Sequence, residues 1–158
     1  MEPTLTFQLP SESDTKRLAA ALAQITQKGD VWALFGTLGM GKSTMARAFI
    51  QHLTGAQEVP SPTFTLVQSY EAPLFEIYHF DLYRIKSAEE IFELGIEDAL
   101  YDGVTLIEWP ERMNNYLPRD IFRIEIYPEQ NGRKAVIMAR SDAKFARLLE
   151  AERIFYGR

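Results

Sequence analysis

Two periods of apolar positions run through this chain. Leu18, Leu22 and Ile25 recur at helical spacing. Ser11, with Glu12 and Asp14 in the turn that follows, predicts the start of that helix, because acids favour the positive end of the helix dipole. Gly29 is its expected stop. Val31 to Phe35 (VWALF) is a short apolar run between Gly29 and Gly36, which predicts a strand buried on both faces. A helix is predicted from about Lys42 to Leu53, ending near Gly55. Beyond Pro60 and Pro62, residues 64–70 alternate, with Phe64, Leu66 and Tyr70 on one face and Val67 on the other. Phe75 to Phe80 is a second strand, and the EAPL segment between them predicts an antiparallel hairpin. Ser87 and Glu90 read as a capping box for a helix that ends near Gly95. Val104 to Ile107 is another short apolar run, with Glu108 directly after it. Ile121 to Tyr127 alternates cleanly, Asn131-Gly132 predicts a hairpin turn, and Arg133 to Ala139 returns as a strand. Ser141 caps a last helix carrying Phe145, Leu148 and Leu149.

This order predicts a single α/β domain over residues 1–158, with one parallel βαβ region and two antiparallel hairpins. Bulk properties narrow the classes of function. The hydrophobic share is 46% and the charged share 25%, which is ordinary globular usage. The chain has no cysteine, which excludes a disulfide scaffold and a thiolate metal site and fits a reducing, cytoplasmic location. No apolar stretch is long enough to span a bilayer, and the first residues lack the basic-then-apolar pattern of a secretory leader, so no membrane contact is expected. The formal net charge of -5 argues against stand-alone binding of RNA or DNA, which needs clustered Lys and Arg; a protein partner is expected to hold any nucleic acid.

Gly36-Thr37-Leu38-Gly39-Met40-Gly41-Lys42-Ser43, followed by Thr44, fits G-x-x-x-x-G-K-[ST] at every fixed position. Backbone N–H groups must curl around an anion in such a loop, and glycine permits the φ angles and the close approach. A strand precedes the loop and a helix follows, so free N–H groups of the first helical turn face the phosphates. Lys42 supplies a point charge for the β and γ phosphates, and the Ser43 hydroxyl is a ligand for Mg²⁺. The fold expected is a three-layer P-loop NTPase-like fold with a mixed sheet.

Such a site needs an acid at the end of a neighbouring strand to hold the metal, and a group to orient the attacking water. Asp81 and Glu108 each end a predicted strand. Arg84 has the reach to touch phosphate, with a surface ion pair as the competing reading. Thr63 and Thr65 sit where a switch-like loop would sense a γ-phosphate. Trp109 follows Glu108 and stands either in the core or beside the nucleotide. His52 and His79 are isolated: neither has metal-ligand spacing, so one reads as a helix-surface residue and the other as a strand residue.

The segments GTLGMGKST (36–44), SPTFTLV (61–67), YHFDLYR (78–84), ELGIED (93–98) and LIEWPER (106–112) together resemble the TsaE family, in that family's order and over nearly the whole chain. The resemblance implies a bacterial P-loop ATPase that supports formation of the threonylcarbamoyl group on adenosine 37 of tRNAs reading ANN codons. It implies a TsaB–TsaD complex as partner, with TsaD transferring the group and ATP hydrolysis resetting the pair; tRNA is touched only indirectly. By matching motif positions, Gly36 to Ser43 would bind ATP, Ser43 and Glu108 would hold Mg²⁺, Asp81 would be the second functional acid, and Trp109 would lie beside the nucleotide. Glu12, after the N-terminal strand, and Arg133, after the Asn-Gly turn, are similar to positions that close over the adenosine. Thr37, Met40 and Ser43 depart from the family's usual loop, GDLGAGKTT. Three other readings of the same residues stay open here: a small-molecule kinase, a GTPase-like module, and an assembly factor that binds nucleotide without meaningful hydrolysis.

Overall fold

The strands whose sequences lack polar alternation lie in the middle of the sheet. In the computed structural model, residues 3–36, 41–60, 62 and 65–158 are described. They contain β1 (Thr4–Leu9), α1 (Glu12–Gln24), β2 (Val31–Phe35), α2 (Lys42–Thr54), β3 (Val67–Glu71), β4 (Glu76–Asp81), α3 (Glu90–Glu93), α4 (Ile96–Asp102), β5 (Gly103–Glu108), a 3-10 helix (Pro110–Tyr116), β6 (Phe122–Glu129), β7 (Gly132–Ala139) and α5 (Asp142–Tyr156). One seven-stranded sheet runs in the order β1-β7-β6-β2-β5-β4-β3. β6, β2, β5 and β4 are parallel neighbours, and the outer pairs β1–β7, β7–β6 and β4–β3 are antiparallel. β5 is buried along its whole length, as both faces of a parallel strand must be when helices cover them. β6, next to the antiparallel wing, alternates buried and half-buried residues.

Helices cover both faces, giving three layers. Leu18 and Leu22 of α1, Met45 and Phe49 of α2 and Leu148 of α5 pack with Trp32, Leu106 and Ile124 on one face. Ile91 of α3, Ile96 of α4 and Met113 of the 3-10 helix pack with Ala33, Phe80 and Ile107 on the other. Trp32 anchors the first core: its ring stacks on Phe122 with centroids 4.0 Å apart, and its indole N–H donates to Thr26 Oγ1 at 3.2 Å.

Several boundaries differ from the sequence reading, each for a local reason. α1 begins as expected, with Ser11 and Asp14 forming a reciprocal capping box, but ends at Gln24. Gly29, with φ +94°, serves the turn into β2 instead. The strand expected over 64–70 begins only at Val67, because Leu66 sits at φ +69°, outside extended geometry; its N–H donates to Pro62 O and its carbonyl accepts from Asp81 N. Phe64 lies outside the described residues. In the predicted capping box, the Glu90 carboxylate accepts from the backbone N–H of Ser87 at 2.8 Å and of Lys86, and the helix it starts is one turn long. Gly95, in the left-handed region, then starts α4, a helix that the apolar spacing above does not announce. In the β6–β7 hairpin, Glu129 pairs with Gly132, so Gln130 and Asn131 form the turn. Gly132 is the residue that takes positive φ, +113°.

α5 is tied to the sheet by charge. Arg147 donates from its two terminal nitrogens to Asp30 Oδ2 and Oδ1 at 2.6 and 2.8 Å, and also to Ile25 O at 2.8 Å. Asp30 is buried and also accepts from Gln27 N. Breaking a buried pair on one side strands the other charge, so Arg147→Leu should cost about 3 kcal/mol, read as a lower urea midpoint at unchanged m-value. Gly132→Ala should destabilise by about 1–3 kcal/mol or more, because a Cβ there would meet Leu9 O at 2.4 Å as well as adopt positive φ. Urea denaturation checks both.

Candidate phosphate-binding site

The carboxyl ends of the parallel strands and the amino end of α2 meet at one edge of the sheet. In the β4–β5 ladder Asp81 pairs with Glu108, and in the β2–β5 ladder Leu34 pairs with Glu108. The chain leaves β2 one residue later and returns as α2, starting at Lys42. Gly41 caps α2 with φ +95° and no side-chain hydrogen bond, so the first-turn N–H groups are not capped by their own sequence. These pieces line a cavity of about 470 Å³, within the roughly 300–1,000 Å³ of small-ligand sites.

Its walls bring together Gly41, Lys42, Ser43, Thr44, Asp81, Glu108, Trp109, Glu12 and Arg133, all nominated from the sequence. Arg84 lies there too, and so do Thr15 and Tyr83, which the sequence reading passed over. Thr15 sits three residues after Glu12 on α1 and Tyr83 two after Asp81, so each falls beside a nominated acid. Thr37, Leu38, Gly39 and Met40 lie outside the described residues, as does Thr63. Gly36 is described: it has φ +146°, and a Cβ there would approach Ile126 O at 3.2 Å and Lys42 Cδ at 3.7 Å. Thr65 is exposed, and its hydroxyl accepts from the Gln68 amide at 3.0 Å.

Lys42 is 4% exposed, and its Nζ has no hydrogen-bond partner among the described residues. It lies 4.0 Å from the centre of the Trp109 ring, a cation–π contact. Burial holds its pKa below the ordinary lysine value; Glu108, Glu111 and Asp81 act in the opposite sense. A buried ammonium that lacks an acceptor is the group a phosphate would satisfy.

Glu108 is buried between two side chains. Its Oε1 accepts from Ser43 Oγ at 3.4 Å and its Oε2 lies 2.7 Å from His79 Nε2. The Ser43–Glu108 pairing is the hydroxyl-plus-carboxylate set expected for Mg²⁺, an ion that takes one or two protein oxygens and leaves the rest to phosphate and water. Among the described residues no group of three or more His, Cys, Asp or Glu is arranged to hold a metal unaided. The sequence reading left His79 as a strand residue. The structure makes it a buried partner of the candidate metal ligand. The signal was its position two residues before Asp81, which places both on one face of β4.

Asp81 Oδ1 accepts from the backbone N–H of Tyr83 at 3.2 Å. The Tyr83 ring packs on Trp109 with centroids 5.0 Å apart. Trp109 itself is left-handed, φ 60° and ψ 49°, an uncommon conformation for so bulky a residue. Glu12 opens α1 at the rim and is 3.4 Å from Lys16. Arg133 arches over the loop end: a Cβ on Gly41 would touch its Cδ at 3.6 Å.

A sequence model of the family described as "Threonylcarbamoyl adenosine biosynthesis protein TsaE" matches residues 9–136. The chain belongs to the TsaE family. Its relatives include the tRNA threonylcarbamoyladenosine biosynthesis proteins TsaE of Rickettsia felis, 39% identical over 93% of this chain and 88% of that protein, and of Haemophilus influenzae, 34% identical over 88% and 92%. The Bacillus subtilis TsaE is 33% identical over 77% of each. Among solved structures, the Bacillus protein YdiB superposes with a TM-score of 0.79 at 27% identity, covering 97% of both chains. The three-layer P-loop fold with a mixed sheet is therefore the fold of this TsaE-family chain.

If Lys42 is short of an anion, one should stabilise the fold. Inorganic pyrophosphate at a hundred times its Kd should add about 2.7 kcal/mol, a rise of several degrees in Tm for a chain of this length. Lys42→Met should abolish the shift. A thermal melt followed by circular dichroism measures it.

Proposed function

We infer that this chain is an ATP-binding, Mg²⁺-dependent ATPase that supports threonylcarbamoylation of adenosine 37 in tRNAs reading ANN codons. It acts as a switch on a TsaB–TsaD complex and does not itself transfer the group. The observation that carries the reading is the buried ammonium of Lys42, which has no hydrogen-bond partner among the described residues. It stands at the first residue of α2, facing a cavity that holds two strand-end carboxylates. Family membership supplies the pathway, and the names of the relatives point to the same tRNA modification. Adenine is favoured over guanine because the chain has no N-K-x-D motif to read a guanine edge. The -5 charge supports reaching tRNA through partners, and a cytoplasmic location belongs to the same reading.

Chemistry follows from where the groups stand. Mg²⁺, when bound, supplies positive charge at the β and γ phosphate oxygens. Ser43 and Glu108 would hold it. Lys42 places its ammonium where charge grows on the transferred phosphoryl group, in a buried setting that strengthens the attraction. Asp81, held by the Tyr83 N–H, orients the attacking water. The Trp109 and Tyr83 rings wall that side of the cavity and exclude further solvent. Glu12 and Arg133 at the opposite rim face the nucleoside.

Phosphate release should be slow with the purified chain and faster with TsaB–TsaD. Lys42→Ala should lower it about a hundredfold or more and reduce threonylcarbamoyladenosine in cellular tRNA, measured by mass spectrometry of digested nucleosides. Unchanged modification in cells carrying only Lys42→Ala would overturn the switch.

A further inference from the structure

β4 carries an imidazole where its pattern calls for an apolar side chain. Alternation puts Ile77, His79 and Asp81 on one face of β4, and Val104, Leu106 and Glu108 on the same face of the adjoining β5. Ile77, Val104 and Leu106 belong to the apolar core under α1, α2 and α5. His79, between Ile77 and Asp81, is 1% exposed. Burying a polar ring there is unfavourable unless it is hydrogen-bonded. The bond it makes is to Glu108, with Nε2 at 2.7 Å from Oε2, while Nδ1 has no partner among the described residues.

For a neutral ring, that asymmetry favours one tautomer. A neutral imidazole has one N–H and one bare nitrogen. A proton on Nδ1 would bury a donor without an acceptor and turn a lone pair toward the carboxylate. A proton on Nε2 gives Glu108 a donor and leaves only an acceptor unpaired. The carboxylate is then held at one oxygen by His79 and presents the other, Oε1, toward Ser43 Oγ at 3.4 Å.

We propose that His79 is a positioning residue for the metal: by donating Nε2–H to Glu108 Oε2, it locks the carboxylate so that Oε1 faces the ion shared with Ser43. The proposal rests on the Mg²⁺–nucleotide reading of the site. Ligating carboxylates are commonly held by such outer hydrogen bonds, and losing one typically costs 10–100-fold in metal affinity. His79 is buried and acts through Glu108, so its effect is expected at the metal.

The test compares His79→Met, which keeps bulk and removes the donor, with His79→Gln, whose amide nitrogen reaches the place of Nε2. ATP binding is followed by tryptophan fluorescence over a Mg²⁺ titration and again in EDTA. His79→Met should raise the Mg²⁺ concentration for half-effect about 10–100-fold and leave ATP affinity in EDTA within about twofold. His79→Gln should recover most of the loss. Equal Mg²⁺ dependence in wild type and His79→Met overturns the role of His79 alone, as does an equal loss in EDTA or a failure of Gln to restore. A wild type that shows no Mg²⁺ dependence overturns the nucleotide reading and this role together. Long-range ¹H–¹⁵N spectra of the metal-free wild type decide the orientation even if His79→Met does not fold. A protonated Nε2 with a bare Nδ1 is expected, and the reverse overturns the proposal.

Discussion

In a parallel sheet every strand delivers its carboxyl end to the same edge, and here the register of β4 on β5 sets Asp81 opposite Glu108. β2, on the other side of β5, ends at that edge and hands the chain to α2. The site depends on this pairing more than on any single side chain. A one-residue slip of β4 would turn His79 and Asp81 to the opposite face. The side chains of β4 oppose such a slip, because Ile77 packs in the core under α1, α2 and α5 while Phe80 packs in the core on the other face.

The charges gathered at that edge give a physical reason why metal and nucleotide would bind together in the proposed function. Lys42 is a buried cation without an acceptor among the described residues, and Asp81 and Glu108 are buried acids close enough to act on it. A bare polyphosphate would be drawn to Lys42 and to the α2 terminus, yet repelled by the two acids. A bare divalent ion would find Glu108 and Ser43, too few ligands for a hard cation. Bound together, the ion would screen the acids from the phosphates, and the phosphates would add the oxygen ligands that Ser43 and Glu108 alone do not supply. Each would make the other's binding more favourable, which is a coupling free energy in the usual sense.

Much of this was legible in the chain. The phosphate-loop motif is read from its fixed spacing of Gly, Lys and Ser, while the strand ends at Asp81 and Glu108 and both hairpins follow from short apolar runs and from alternation, signals that act over a few residues. What stayed hidden depends on pairing between distant segments. His79 reads as an isolated histidine because its partner, Glu108, lies on another strand, and only the β4–β5 register joins them. The late start of β3 was hidden for a different reason. Leu66 continues the alternation in sequence but takes positive φ, because its carbonyl is needed by Asp81 N and its N–H by Pro62 O. Helix α4 was missed because it is short and starts at a glycine, so no capping residue announces it. Glu12 and Arg133 were reachable only through family resemblance. Glu12 comes to the cavity at the start of α1, just after β1, and Arg133 from β7, and the ladder that pairs Leu9 with Arg133 brings the two segments together.

A switch must pass the state of its nucleotide to a surface that another protein reads, and a ligand can bias only what it touches differently in two states. In the proposed function, Trp109 would be the residue placed for that. One side of its ring meets Lys42, and Tyr83, which is 44% exposed, packs against it. Its backbone is held in the left-handed region between Glu108, which ends β5, and Pro110, which begins the 3-10 helix. Such conformations persist where surrounding packing over-determines them. A phosphate at Lys42 would compete with the Trp109 ring for the ammonium. The change would then be felt first at a residue whose backbone already stores strain and whose neighbours reach solvent. The contact between Lys42 and Trp109 would then give the proposed switch its first moving part.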